Sequence, residues 1–318
     1  MKIPDRLFML AVVVVLGVGA YINIGAQTAI SSGEVSRSAA KPITIPLTIR
    51  VKDAKPESEF QTIDLTVSED GEPQTVLSIR AMATNSPITL AVLVQDDLIP
   101  SIANEMKSLR AFITRLPRGS RVMVGYIRTG TLQVRQKFTT DLEKASRALR
   151  SPNGLASAAP YNPYVEVIEA EKRFEAQPAG RRAILLLSDG LDTSRGVDSS
   201  SPSQSIDLQR AINEAQRKSI AVYAFYAPTV AGGTSTLLIG NAQSSLQKLA
   251  DDTGGRAFFQ GTGAPVSFDP FIKELDSALE RQVALTFLST HDNKGFHKIA
   301  VRSSTPGVQV SYPSGYFR

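Results

Sequence analysis

Cysteine is absent from this chain of 318 residues, and histidine occurs only twice. The absence of cysteine excludes disulfides, thiolate zinc sites and cysteine nucleophiles, and it leaves the redox compartment open. Runs of five or six like charges are also absent, because the basic and acidic residues are interspersed. A net charge of +5 and a pI of about 9.4 therefore do not indicate a nucleic-acid partner.

The two histidines, His291 and His297, fall near turns between strands close to the C-terminus. A Ser-His-Asp hydrolase would need one of them to reach a serine at a strand-to-helix turn. Ser188 stands in LLLSDGL and has no Gly-x-Ser-x-Gly surroundings. The sequence therefore does not favour such a triad, and we expect both histidines to be solvent-exposed turn residues.

A single long apolar run, residues 7–24, follows Lys2 and Arg6 at the N-terminus. A basic start before such a run is typical of an export signal, and Val18-Gly19-Ala20 approximates a cleavage site for it. The run is also near the minimum length of a membrane span, so an uncleaved membrane anchor is the alternative interpretation. We expect residues 1–24 to be a signal peptide or membrane anchor and residues 25–41 a linker. The rest of the protein would then be exported, and either periplasmic, secreted or anchored to the membrane.

Residues 85–282 alternate between apolar runs and segments of helical periodicity. The runs 88–94 and 183–187 have the pattern of strands buried on both faces, and they end in Asp96-Asp97 and in Asp189. This order predicts an α/β domain with a doubly wound, mostly parallel sheet and one antiparallel edge strand. Because such sheets bind ligands at the carboxyl ends of their strands, the three aspartates become candidate site residues.

Both ends of the chain show a period of two instead. Residues 42–84 and 283–318 contain short alternating segments separated by turn residues, which is typical of half-buried antiparallel strands. The first part is too short to form a stable sheet alone and needs partner strands from elsewhere in the chain. We expect the two parts to form one small β-sandwich into which the α/β domain is inserted.

Several motifs occur in a familiar order. Asp96-Asp97 follows a buried strand, Thr129-Gly130 forms a hairpin turn, Ser188-Asp189-Gly190 ends another strand, and LADDTGGR (residues 249–256) precedes a short strand. With the flanking EDGEPQ (69–74) and PSGYF (313–317), residues 43–318 resemble a von Willebrand factor type A (VWA) domain of the exported bacterial VWFA-related proteins.

The resemblance implies a Rossmann-like domain that binds protein ligands, often through a divalent cation at a metal-ion-dependent adhesion site. Mg²⁺, or Mn²⁺ or Ca²⁺, would suit its oxygen ligands. That site uses Asp-x-Ser-x-Ser, a later Thr and a later Asp, and this chain keeps only part of the set. If Asp96 is the first ligand, Leu98 and Pro100 stand at the serine positions; if it is Asp97, they are Ile99 and Ser101. The Thr position falls in residues 151–160, where Ser151, Asn153 and Ser157 offer side-chain oxygens. Asp189 matches the last Asp, and Asp192 is a nearby carboxylate.

The sequence thus predicts a non-enzymatic, exported protein-binding module with a degenerate adhesion site. The module would act in adhesion or as a scaffold. Two alternatives stay open: a metal-dependent hydrolase at the same carboxylates, and an inert structural component of a cell-envelope assembly. The predicted metal ligands are Asp96, Asp97 and Asp189. The predicted partner-binding residues are Asp96, Asp97, Ser101, Asn153, Ser157, Asp189 and Asp192.

Overall fold

The computed structural model describes residues 40–51, 64–82, 85–230 and 235–318. The predicted signal peptide or anchor and all but the last two residues of the predicted linker lie outside these ranges. Within them, no helix combines the length and apolar character needed to span a membrane. The strands of the described ranges, in chain order, are β1 (Lys41–Val51), β2 (Leu65–Glu69), β3 (Glu72–Ala81), β4 (Ile88–Gln95), β5 (Arg121–Arg128), β6 (Thr131–Thr139), β7 (Arg181–Ser188), β8 (Ile220–Tyr226), β9 (Arg256–Phe258), β10 (Gln282–Ser289), β11 (Phe296–Ser303), β12 (Val308–Ser311) and β13 (Gly315–Phe317).

The α-helices fall between β4 and β10. They are α1 (Met106–Arg115), α2 (Leu142–Ala148), α3 (Pro163–Lys172), α4 (Ile206–Arg217), α5 (Thr236–Asp252) and α6 (Asp269–Glu280). Apolar residues predict one helix from Pro100 onward, but the structure begins this segment as a 3₁₀ helix, Pro100–Glu105, and continues it as α1.

A six-stranded sheet forms the α/β part, in the order β6-β5-β4-β7-β8-β9. All its pairs are parallel except β5 with β6, which the Thr129-Gly130 turn joins as an antiparallel hairpin. Helices α1, α2 and α6 pack on one face, and α3, α4 and α5 pack on the other. Both faces of the central strands are therefore covered, which explains their continuous apolar runs. The predicted mostly parallel α/β sheet with one antiparallel edge strand is confirmed.

The strands from the two chain ends form a second, antiparallel sheet in the order β12-β1-β10-β3-β2-β11-β13. Residues of β1 pair with residues of β10, from Lys41 with Ser289 to Thr48 with Gln282. The strands from both chain ends thus pair in one seven-stranded sheet. The predicted sandwich would consist of two packed sheets instead. The alternating apolar residues of β1, β2, β10 and β11 share one core, with Leu47, Val67 and Phe287 among them. β12 is the first strand in this order and β11 is the last but one, yet the two strands contact each other. The sheet therefore curls around its own apolar face.

Polar side chains join the two sheets at the start of β7. The Arg181 guanidinium donates to the carbonyls of Ser86 and Leu279 at 2.9 and 2.6 Å, and to the Gln282 side chain at 3.0 Å. Gln282 in turn donates to the buried Tyr223 hydroxyl at 3.1 Å. These bonds satisfy polar groups that would otherwise be buried without partners, and they fix β10 against the amino ends of the parallel strands.

Candidate functional site

The carboxyl ends of β4, β7 and β8 lie side by side at one edge of the six-stranded sheet, called here the carboxyl edge. Val94 of β4 pairs with Leu187 of β7, and Ser188 pairs with Tyr226 of β8. The segments that follow, which begin at Asp96, Asp189 and Ala227, are therefore neighbours. This is the edge where open α/β sheets bind ligands.

Asp96 is fully buried and bound by two arginines and an asparagine. The Arg150 guanidinium donates to Oδ1 at 2.6 Å and to Oδ2 at 2.9 Å, and Arg128 Nε lies 3.2 Å from Oδ2. Asn153 donates its backbone N–H to Oδ1 at 3.0 Å and its side-chain amide to Oδ2 at 2.8 Å. A carboxylate has about four acceptor positions, so these donors saturate Asp96.

Arg150 is itself held in place by Tyr126 of β5. The Tyr126 hydroxyl donates to the Arg150 carbonyl at 2.6 Å and accepts from the Arg150 N–H at 2.7 Å, while the guanidinium lies 4.0 Å from the ring centroid. The hydrogen bonds to Asp96 raise the pKa of Arg150, so this side chain stays charged. Neither Arg150 nor Arg128 is among the predicted site residues. Arg128 carries a signal in the sequence, because it ends the strand beside β4, whereas Arg150 carries none.

Gln95 connects the other two aspartates of the carboxyl edge. Its amide donates to Asp97 Oδ1 at 3.0 Å, and its side-chain oxygen accepts from the Ser188 hydroxyl at 2.5 Å and from the Asp189 N–H at 3.3 Å. Asp97 is buried, and burial raises the pKa of its carboxyl group. The strand end after β4 is thus fastened to the strand end after β7.

Asp189 is partly exposed and faces a pocket of about 60 Å³ beside Tyr226 and Thr229. Its Oδ1 accepts from the Leu191 N–H and its Oδ2 from the Thr229 hydroxyl, both at 3.1 Å. Burial, with a smaller contribution from the negative charge of Asp97, raises the pKa of Asp189 to about 6. The pocket has room for about two water molecules.

This donor set does not fit a divalent cation. Asp96 has no free acceptor position, and Leu98 is a fully buried apolar residue at a position where the adhesion site has serine. Within the described ranges, Asp96, Asp97 and Asp189 do not bring their oxygens within 4.8 Å of one another as a group. The Arg150 guanidinium supplies the positive charge that Asp96 requires.

The remaining predicted site residues have different surroundings. Asn153 lies against Asp96, whereas Ser101 and Ser157 are exposed on short 3₁₀ segments. Asp192 is buried, and it accepts from Ser194 and from the Ser205 hydroxyl, which caps α4. The structure therefore brings Asp96 and Asn153 together, and it places Asp192 at a helix terminus.

Exposed apolar side chains are concentrated around the carboxyl edge. Eleven large apolar side chains are exposed among the residues that the structure describes, and nine belong to the loops or first helical turns at this edge. Tyr161 and Val266 are 69% and 89% exposed. Because exposed apolar side chains grouped at one edge of a protein are typical of interaction sites, this set, called here the apolar rim, is a candidate contact surface. The apolar rim consists of Leu155, Tyr161, Val165, Val197, Ile206, Val230, Leu237, Phe259 and Val266.

No family model and no curated relative matches the sequence. Among 141 solved chains with a similar structure, an aerotolerance-related membrane protein from Bacteroides fragilis is 13% identical, with a TM-score of 0.43 over 61% of this chain and 98% of that one. The conserved hypothetical protein BatB from Bacteroides thetaiotaomicron is 16% identical, with a TM-score of 0.42 over 60% and 97%. The human COPII-coat protein Sec24c is 10% identical, with a TM-score of 0.42 over 73% of this chain and 44% of that one. Similarities this low assign neither a family nor a function.

Proposed function

We propose that this protein is a non-enzymatic VWA-like module that binds a protein partner at its carboxyl edge without a metal ion. The concentration of nine exposed apolar side chains at that edge carries the proposal. The cores of protein interfaces are apolar, and the apolar rim offers seven aliphatic side chains together with Tyr161 and Phe259. Arg128 and Arg150, which are partly exposed, provide the polar contacts beside it.

The Asp96 and Arg150 pair supports a metal-free mode of binding. In the adhesion site that the sequence resembles, a cation holds the first aspartate and offers an open position to the partner. Here the guanidinium takes both carboxylate oxygens, so the loops at the carboxyl edge are organised before any partner arrives. A surface that is ordered in advance loses less conformational entropy on binding.

The sequence supports the rest of the assignment. The strand-end motifs of residues 96–97, 188–190 and 249–256 are those on which the VWA resemblance depends, and residues 7–24 favour export to the envelope or beyond. We therefore place the binding surface outside the cytoplasm, on a module that is either released or tethered by its N-terminal segment.

Partner capture by the full chain in its native host tests this proposal. A variant that combines Leu155→Ser, Tyr161→Ser and Val266→Ser removes three members of the apolar rim. The matched control, Leu77→Ser with Phe296→Ser, removes exposed apolar residues from the antiparallel sheet instead. The triple variant is expected to lose the cross-linked partner, whereas the control and an EDTA-treated wild type are expected to retain it.

Equal capture by the triple variant would contradict the proposal and favour the inert structural role. Capture that EDTA abolishes and that Mg²⁺ alone restores would instead indicate a metal ion at the carboxyl edge. A second candidate, a hydrolase, is favoured by one observation: Asp189 has a pKa of about 6, which suits a general base. Both carboxylate oxygens of Asp189 already accept hydrogen bonds, from the Leu191 N–H and from the Thr229 hydroxyl, so we rank this candidate lower.

A further inference from the structure

Both histidines lie in one cluster at the end of the antiparallel sheet. His297 of β11 is only 3% exposed, and His291 precedes β11 and is partly exposed. The expectation of two solvent-exposed turn histidines is therefore wrong for His297, because the curl of the sheet covers it. Two acidic residues, Glu69 and Asp70, face the histidines from the end of β2 and from the following turn.

The atoms of this cluster have the spacing of metal ligands. Glu69, Asp70 and His297 each place a ligand atom within 4.8 Å of the others. His297 Nδ1 lies 3.3 Å from Glu69 Oε1 and 2.8 Å from Asp70 Oδ2, and His291 Nδ1 lies 3.3 Å from Glu69 Oε2. Ligands at about 2.0–2.2 Å from a four-coordinate Zn²⁺ are themselves separated by roughly 3.4 Å.

Each of the three residues is also oriented by a further partner. His297 Nε2 lies 2.9 Å from the Asn293 carbonyl, to which it donates, and this leaves Nδ1 directed at the carboxylates. The Tyr316 hydroxyl donates to Glu69 Oε1 at 2.6 Å, and the Lys298 N–H donates to Asp70 Oδ1 at 2.8 Å. A ligating histidine that donates its other N–H to a carbonyl is the usual arrangement around protein-bound metals.

Two buried atoms of the cluster have no hydrogen-bond partner. These are Glu69 Oε2 and His291 Nδ1, which lie 3.3 Å apart without forming a hydrogen bond, and Glu69 is fully buried. An ionised carboxylate without compensation is costly to bury, and the exposed carboxylate of Asp70 places a second negative charge beside that of Glu69. A divalent cation would satisfy both orphaned atoms and would balance the two negative charges.

We propose that Glu69, Asp70 and His297 form a structural site for Zn²⁺, and that His291, whose Nδ1 lies 3.3 Å from Glu69 Oε2 but outside the group within 4.8 Å, joins it as the fourth ligand on binding. Imidazole nitrogen combined with carboxylate oxygen is a donor set that suits Zn²⁺ better than Mg²⁺. With His291 as the fourth ligand the site would be closed, as structural zinc sites are. The ion would join the turn after β2 to β11, and so connect the two chain ends. This proposal is independent of partner binding at the carboxyl edge.

Calorimetric titration of the full chain with Zn²⁺ alone, after removal of metals by a chelator, tests the site at about pH 7.5. Asp70→Asn is the decisive variant, because Asp70 has a positive φ of 50°, which asparagine tolerates. The amide that this substitution introduces keeps an oxygen for the Lys298 N–H but lacks the ligating carboxylate. Glu72→Gln is the matched control, because the Glu72 side chain is 70% exposed and its Oε2 lies 3.7 Å from His291 Nε2, so the variant removes a neighbouring charge but no proposed ligand.

The wild type and Glu72→Gln are expected to bind one Zn²⁺, and Mg²⁺ is expected not to compete. Asp70→Asn and His297→Gln are expected to weaken Zn²⁺ binding by about 100-fold or more. Co²⁺ substitution should give the absorption bands of four-coordinate cobalt in the wild type and in Glu72→Gln, but not in the other two variants. Absence of saturable Zn²⁺ binding, or unchanged binding by the folded Asp70→Asn variant, would overturn the proposal. The four side chains would then form a cluster of ion pairs in which protons on the histidines balance the carboxylates.

Discussion

Arg150 and Asp96 form a bidentate ion pair at the carboxyl edge, with Nη1 to Oδ1 at 2.6 Å and Nη2 to Oδ2 at 2.9 Å. Bidentate arginine–carboxylate pairs are among the strongest hydrogen-bonded interactions in proteins. The pair joins the end of β4 to the segment after α2. It thereby organises two loops of the candidate binding surface with one contact.

Arg150→Met is expected to lower the free energy of unfolding by about 3 kcal/mol, because it leaves the buried Asp96 with less compensation. Arg128 and Asn153 still contact the carboxylate, so the loss falls at the lower end for a broken buried pair. Urea denaturation measures the change. Arg147→Met changes an exposed arginine of α2, three residues before Arg150; it is the control and should change stability by less than about 0.5 kcal/mol. Equal losses in both variants would refute the role of the pair.

Asp189→Asn is expected to stabilise the protein at neutral pH. The pKa of Asp189 rises from 3.8 to about 6 in the folded protein, so the folded state retains a proton that the unfolded state releases. The free energy of unfolding of the wild type therefore falls as pH rises through this window and is level above it. Asparagine does not ionise, so the variant avoids this loss. Its free energy of unfolding is expected to exceed that of the wild type by on the order of 2 kcal/mol above about pH 7 and to equal it below about pH 4.

Unfolding by urea at the two pH values checks this expectation. Asp198→Asn changes an exposed carboxylate in the same loop and should leave the pH dependence as it is. A gain from Asp189→Asn that is equal at both pH values would contradict the assignment of the raised pKa.

Gly190→Ala is expected to destabilise the protein by about 3 kcal/mol or more. Gly190 has a φ of 73°, and a Cβ there would lie 2.4 Å from Leu246 Cγ and 2.9 Å from the Ala242 carbonyl oxygen. Backbone strain and overpacking against α5 therefore add together. Gly196 has a φ of 91°, and a Cβ added there would have no other atom within 4 Å. Gly196→Ala therefore introduces backbone strain alone and should lower the free energy of unfolding by about 1 kcal/mol. Thermal unfolding of the two variants compares them, and similar melting temperatures would argue against the contact with Leu246.

Asp192→Ala is expected to cost about 2 kcal/mol of stability, because it removes the acceptor of the Ser205 hydroxyl that caps α4. Partner capture should persist, since the side chain is buried. Asp198→Ala, measured in the same denaturation and capture assays, is the control. Loss of partner with unchanged stability would restore Asp192 to the binding surface, as the sequence predicted.

The elements of the α/β part could be predicted because their cause is local. Five consecutive apolar residues before Ser188 require a strand covered on both faces, and the helices between the strands carry their own periodicity. The single antiparallel sheet could not be derived in the same way. Alternation shows that β1 and β10 each have one buried face, but it does not show that Thr48 pairs with Gln282.

The candidate site was predictable only in part. The end of the strand β4 predicts the position of Asp96. Whether a cation or Arg150 binds its carboxylate depends on the path of residues 149–153, and the spacing of residues in the sequence does not predict that path. The burial of His297 has a similar origin, since it results from the curl of the sheet and from Tyr316 stacking on the ring.

The pairing of β1 with β10 also determines the order in which the chain can fold during synthesis. The hairpin of β2 and β3 and the whole α/β sheet consist of segments that leave the ribosome before β10. Until then β1 has neither of its partners, β10 and β12, and one edge of β3 stays open. Closing so long a loop is slow, and open strand edges invite association between chains. Ribosome-bound chains that stop before Gln282 would therefore contain a folded α/β core and an unpaired first strand.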